Sequence, residues 1–252
     1  MSKFLKLIEK QRKASKYQKF NGTFLEYLNI LQEKPEILKL SHKRLYETIK
    51  DFGVETVDVD SEKYRDIYNG DKIRKYDYFE KEFFGMESVI NKLMRYLKSA
   101  AFKGEESRQV LLLMGPVGAG KSALIDAVKR ALEKSDPYYY LEGCPIKEEP
   151  LHLLPRGLRK EFGDILGVHI EGDLCPVCRH RLMNEFNGEY EKFPVTQSTF
   201  SQRGRRGIAV VPPMDANSQD VSVLIGTEDI SKLDLYPEDD PRVLSLNGAF
   251  NV

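Results

Sequence analysis

Residues 110–125 read VLLLMGPVGAGKSALI. An apolar run of strand length ends in glycines, a lysine and a serine, and an apolar pattern then resumes. Gly115, Gly120, Lys121 and Ser122 fit the spacing G-x-x-x-x-G-K-[ST], with Pro116, Val117, Gly118 and Ala119 between them. Glycines let a backbone turn its N–H groups toward phosphate oxygens. A helix that starts at the same point aims the positive end of its dipole there. In this reading Gly115 to Ser122 cradle the phosphates of a nucleotide, Lys121 reaches the β- and γ-phosphates, and the Ser122 hydroxyl ligates Mg²⁺. RQVLLLMG has the length of a buried parallel strand, and KSALIDAVKRALEK has amphipathic helical spacing closed by Ser135, Asp136 and Pro137. Strand, loop and helix together predict an α/β fold of P-loop type, with helices flanking a parallel sheet.

The rest of the chain bounds this reading. Its 252 residues suffice for one large domain or two small ones. Lys+Arg and Asp+Glu both number 39, so the net charge is zero, and the pI is about 6.9. That balance gives no reason to expect nucleic acid or an anionic membrane as a partner. No run approaches the roughly 18 apolar residues of a membrane helix. The N-terminal MSKFLKLIEKQRKASKYQKF lacks the uninterrupted apolar core and small-residue cleavage site of a secretory signal. A cytoplasmic location is expected, with the three cysteines reduced.

Residues 1–70 read as a helical N-terminal segment. FLEYLNILQEK and ILKLSHKRLYETIKDFG carry apolar residues three and four apart, Pro35 suits the start of the second helix, and Gly53 suits its end. Residues 54–78 are polar and read as a linker or irregular surface segment. Residues 71–252 are expected to form the P-loop domain, interrupted by an insertion at about 143–206. FFGMESVINKLMRYLKSAAF reads as a helix, PYYYLEG as a second strand, LRKEFGDIL as a helix and GIAVVPPMD as strand-like up to Pro212.

Nucleotide hydrolysis needs a second acidic site to hold Mg²⁺ and orient water. GIAVVPPMD reaches Asp215 only after two prolines, and VSVLIGTED reaches Glu228 and Asp229 only after Gly226 and Thr227. Both read as surface-loop acids, so catalytic residues are not assigned. No guanine-reading N-K-x-D segment follows the loop, which favours ATP. Asp51-Phe52-Gly53 spells a kinase-like D-F-G, but no H-R-D loop precedes it, and it reads as a helix end. Arg203, Arg205 and Arg206 read as a solvated basic loop.

Cys175-Pro-Val-Cys178 has the spacing of a metal knuckle, in which two thiolates share one Zn²⁺. Cys144 is the third candidate ligand. His152, His169 and His180 compete for the fourth place, with His152 preferred because it shares GCPIKEEPLH with Cys144.

GPVGAGKSALI, LEGCPIKEEPLHLLP, IEGDLCPVCRHRL and RGIAVVPPMDANSQDVSVLIGTEDISKL together resemble the AAA-type domain of the bacterial PrkA serine protein kinase family. GTFLEYLNILQEKPEILKLSHKRLYETI and YFEKEFFGMESVINKL resemble the N-terminal segments of that family. The resemblance implies an ATP-Mg²⁺-binding module, homo-oligomeric in the intact protein, in which ATP binding or hydrolysis is coupled to phosphorylation of serine on a protein substrate. Family members continue past a segment like LSLNGAFNV into an acidic strand and a C-terminal kinase-like domain. This chain therefore resembles an N-terminal fragment with an incomplete sheet. Two other readings stand beside it. One is a non-catalytic nucleotide-binding or assembly module. The other is a small-molecule P-loop kinase with a zinc lid, against which the 114 residues before the loop count.

Overall fold

The computed structural model describes residues 4–6, 20–57, 73–211, 221–238 and 240–252. Along the chain run β1 (Asn21–Thr23), α1 (Phe24–Glu33), α2 (Ser41–Asp51), β2 (Val54–Val57), β3 (Ile73–Tyr76), α3 (Asp77–Glu80) and α4 (Glu87–Ala101). There follow α5 (Lys121–Glu133), β4 (Tyr138–Leu141), α6 (Arg156–Leu166), α7 (Pro176–Asn184) and β5 (Pro194–Ser198). The last elements are α8 (Ser222–Ile225), β6 (Thr227–Glu228) and β7 (Leu244–Ser245). The chain folds as two compact units. One joins Met1–Ile37, Pro137–Thr199 and Arg203–Val252; the other joins Leu38–Asp136 and Phe200–Gln202. α1 belongs to the first of these units and α2 to the second.

The unit of residues 38–136 is built on three helices. Their apolar residues recur at helical spacing: Leu45, Tyr46 and Ile49 on α2; Ile90, Leu93, Met94 and Leu97 on α4; Leu124, Ala127 and Ala131 on α5. These stripes, with Tyr76, Phe79 and Phe83, make one contiguous core. Gly53 follows α2 at φ +122°, a backbone that an L side chain rarely adopts, so it ends the helix. Pro35 opens a short 3-10 turn, Pro35–Leu38, and α2 begins only at Ser41. The polar stretch after Gly53, read from sequence as irregular, contributes β2 and β3, paired antiparallel from Val54↔Tyr76 to Val57↔Ile73. VDSEKYRDIYNGDK, between them, lies outside the described residues.

The other unit carries a three-stranded antiparallel sheet in the order β1-β5-β4, with Asn21↔Thr196 and Tyr138↔Ser198 in register. Thr23 and Glu26 form a reciprocal capping box that starts α1, and Phe24, Tyr27 and Leu31 of α1 are fully buried. β6 and β7 make a separate two-residue antiparallel pair.

The expected parallel sheet is not found among the described residues, where every strand pair is antiparallel. Arg108 ends a 3-10 turn, VLLLMG has no regular secondary structure and pairs with no described strand, and Val110, Leu112 and Met114 are 94%, 75% and 85% exposed. A strand exists only through its ladder partners, and a buried parallel strand needs neighbours and covering helices. β4, the strand that follows α5 and was the candidate neighbour, pairs antiparallel with β5 instead. GIAVV of GIAVVPPMD likewise forms no strand over 207–211, and its continuation through Asp215 lies outside the described residues.

Leu124 anchors α5 in the core at 1% exposure. Leu124→Ala is expected to destabilise the fold by about 2–5 kcal/mol, read as a lowered urea midpoint. Phe84→Ala, at a side chain 99% exposed, is expected to stay within about 0.5 kcal/mol.

Candidate functional site

Of the eight residues singled out from the sequence, Gly115 to Gly120 form the loop before α5, and Lys121 and Ser122 begin the helix. Gly118 and Gly120 have φ +82° and +76°, so the turn uses the left-handed region twice. Gly120 is the N-cap of α5, Lys121 its first residue and Ser122 its second. Gly120 offers no side-chain cap to this end, and no side-chain acceptor among the described residues takes its first-turn N–H groups. The Ala119 N–H donates to the Pro116 carbonyl at 3.3 Å and closes the turn. The Lys121 ammonium folds back into the loop and donates to the Gly115 and Pro116 carbonyls, at 2.8 and 2.6 Å. Val117, Gly118 and Ala119 are exposed at the tip, and the Ser122 side chain faces solvent. Met86, at the start of α4, lies against the loop: a Cβ on Gly120 would meet its sulfur at 3.5 Å. A concave backbone, an open helix N-terminus and one ammonium in the same turn suit a polyanion.

Of the candidate acids, Asp215 lies outside the described residues, and Glu228 and Asp229 lie in a short strand and the turn after it. Glu228 sits in the two-residue β6. Asp229 accepts bonds from the Ser231 N–H and hydroxyl at 3.2 and 2.6 Å, and its pKa is lowered chiefly by that hydroxyl. It is a turn cap. Asp51-Phe52-Gly53 is the end of α2. In the 203–206 basic loop, Arg205 donates to the Asn247 carbonyl and accepts on its own carbonyl from Lys147.

A second cluster lies in the unit that carries β4. Cys144 follows β4 across a turn at Gly143, whose φ is +73°. Cys175 is the N-cap of α7 and Cys178 lies in its first turn. Donor atoms of Cys144, Glu148, Cys175 and Cys178 all lie within 4.8 Å of one another, and all four residues are buried. The Cys144 and Cys175 sulfurs are 3.9 Å apart. Backbone N–H groups point at two of the sulfurs, Glu148 N–H at Cys144 (3.4 Å) and Cys178 N–H at Cys175 (3.3 Å). The Glu148 carboxylate accepts the Cys175 N–H at 2.9 and 3.1 Å. Hydrogen bonding from the Cys175 and Cys178 thiols holds the Cys144 thiol well below its usual pKa, and sharing with Cys144 pushes Cys175 and Cys178 up. Burial raises the Glu148 carboxyl, opposed by its bond to His152.

The structure brings together three of the four residues chosen from the sequence for this cluster. His152 stands behind them: its Nδ1 lies 3.2 Å from Glu148 Oε1, and a Cβ on Gly172 would meet its Nε2 at 2.9 Å. That bond raises the His152 pKa. His169 pairs instead with Glu171 on the surface. Sequence reasoning missed Glu148, because a carboxylate in KEE reads as solvated surface. Its one signal was spacing, four residues after Cys144 and four before His152.

Loop and helix have the sequence spacing and the uncapped helix start of a P-loop. The PrkA AAA domain matches residues 22–252, and the chain belongs to that family. Membership places it in the α/β P-loop class of AAA modules. It is 38% identical over 254 aligned residues to the ATP-dependent protease PrkA of Bacillus subtilis, covering 98% of this chain and 38% of that protein. It is 37% identical over 192 residues to the serine/threonine kinase YeaG of Escherichia coli K12, covering 73% of this chain and 29% of that protein. An uncharacterized protein from the gldA 5' region of Geobacillus stearothermophilus is 40% identical over 98 residues, which is 38% of this chain and 88% of the relative. The chain thus spans well under half the length of the first two relatives. No solved structure matches it. No helix among the described residues is long and apolar enough to cross a membrane.

The two left-handed glycines and Gly115 make different demands. Gly120→Ala has room for a methyl group but the wrong backbone, and is expected to cost about 1–2 kcal/mol of stability. Gly115→Ala meets nothing closer than Ala119 at 3.7 Å and is expected to stay within about 0.5 kcal/mol. Thermal unfolding of the two variants beside the parent checks the contrast.

Proposed function

We propose that the chain is the ATP-Mg²⁺-binding AAA module of a PrkA-type serine protein kinase. In the whole protein, ATP binding or hydrolysis is coupled to phosphorylation of serine on a protein substrate, in a homo-oligomer within the cytoplasm. The observation that carries the nucleotide part is the uncapped N-terminus of α5, with Lys121 folded into the glycine turn. Phosphate oxygens offer the ammonium a charged acceptor in place of two neutral carbonyls, and charge-assisted bonds are the stronger. Backbone N–H groups of the loop and first turn take the remaining oxygens, and the Ser122 hydroxyl is placed at the second helical position to ligate Mg²⁺.

The kinase part rests on the name of the Escherichia coli relative. A second reading, ATP-driven proteolysis, has behind it the name of the Bacillus subtilis relative, which covers nearly the whole chain. ATP binding is common to both.

Calorimetric titration of Mg²⁺-ATP into this chain and into Lys121→Ala tests the shared element. The expected result is binding at one site. The variant loses a charge-assisted bond worth about 1.5–3 kcal/mol, which weakens binding about 10- to 150-fold. No heat of binding with either protein contradicts the proposal.

A further inference from the structure

We propose that Cys144, Cys175, Cys178 and Glu148 form a closed structural Zn²⁺ site, and that His152 is the residue that aims the Glu148 carboxylate rather than a ligand. Such a site stands independently of nucleotide binding.

Three observations carry it. The first is geometry. Tetrahedral Zn²⁺ with Zn–S bonds of about 2.3 Å places neighbouring sulfurs about 3.8 Å apart. The Cys144 and Cys175 sulfurs are 3.9 Å apart, and Cys144 Sγ lies 4.0 Å from Glu148 Oε2. The second is burial. The Glu148 side chain is 3% exposed and Cys178 is fully buried. Four groups able to ionise converge there, an arrangement that is costly in a dry interior unless a cation balances it. The third is the backbone. N–H groups of Glu148 and Cys178 point at sulfurs three or four residues earlier in the chain, the arrangement that stabilises thiolates bound to a metal.

The donor set selects the metal. Three thiolates favour zinc, iron–sulfur or copper(I) over hard cations, and a tetrahedral set of four protein ligands with one carboxylate oxygen fits Zn²⁺. With all four positions filled by protein, no place is left for a reacting water, so the role is structural. The ion ties the turn after β4 to the start of α7, joining Cys144 to Cys175, 31 positions later in the chain. His152 acts from behind: its Nδ1 meets Glu148 Oε1, while the other oxygen, Oε2, faces Cys144. Ligating carboxylates are usually fixed by such an outer hydrogen bond.

Co²⁺ titration of the reduced full chain tests the site, since sulfur-to-cobalt charge-transfer absorption reports thiolate ligation directly. The expected result is a charge-transfer band that saturates at one Co²⁺ per chain and disappears on addition of one equivalent of Zn²⁺. Cys178→Ser loses the band. His152→Gln keeps it with affinity weakened about 10- to 100-fold, and Glu148→Gln weakens binding more than His152→Gln does. Circular dichroism of each apo variant separates loss of ligation from loss of fold. Absence of the band in the parent chain overturns the site. Retention of full affinity in Glu148→Gln, or a larger loss in His152→Gln, overturns the ligand assignment.

Discussion

Gly120 has to lie in the left-handed region for α5 to begin where it does, and α5 has to be held by its buried face for that beginning to stay in place. The two requirements meet within five residues. Gly120 turns the chain at φ +76°, Lys121 and Ser122 open the helix, and Leu124 enters the core. A phosphate site made of backbone N–H groups has no stiffness of its own; it takes it from what the helix is packed into. α2 and α4 supply that support, through a core that joins Ile49 and Met94 to Leu124 and Ala127. The loop is exposed, while the helix it starts buries Leu124, Ala127 and Ala131.

The same logic appears in the unit that carries β4, with different chemistry. There, the segment between β4 and β5 buries Leu151, Leu153, Leu154, Leu182 and Phe193, and polar groups with them. The polar groups are three cysteines and Glu148, whose donor atoms lie within 4.8 Å of one another. Hydrogen bonds from Cys175 N–H to Glu148, and from Arg159 to the Leu154 carbonyl, draw the segments together. Polar contacts of this kind specify a geometry more than they drive collapse.

Elements that form from local pattern were legible in the sequence. Helical spacing gave α1, α2, α4, α5 and α6, Gly53 marked the end of α2, and PYYYLEG gave β4. The glycine-lysine spacing named eight consecutive residues, six of which form the turn before α5 and two its first residues. What was not legible depended on partners distant in the chain. VLLLM reads as a buried strand because apolar runs usually are, but burial requires neighbours, and β4 is committed to β5. β2 and β3 are polar sequences that become strands only by pairing with each other. Glu148 was invisible because nothing in KEE says which carboxylate is withdrawn from water. AAA membership, by contrast, was carried by segments spread over most of the chain, and it holds over residues 22–252.

The central claim is that a preformed turn from Gly115 to Ser122, seated on α5, is where phosphate binds. Amide hydrogen exchange of this chain with and without Mg²⁺-ATP tests it most directly. The predicted result is slowed exchange concentrated at residues 115–124, with little change in the turn after β4 or in α7. Unchanged exchange at 115–124 while nucleotide binds, or protection centred elsewhere, would contradict it.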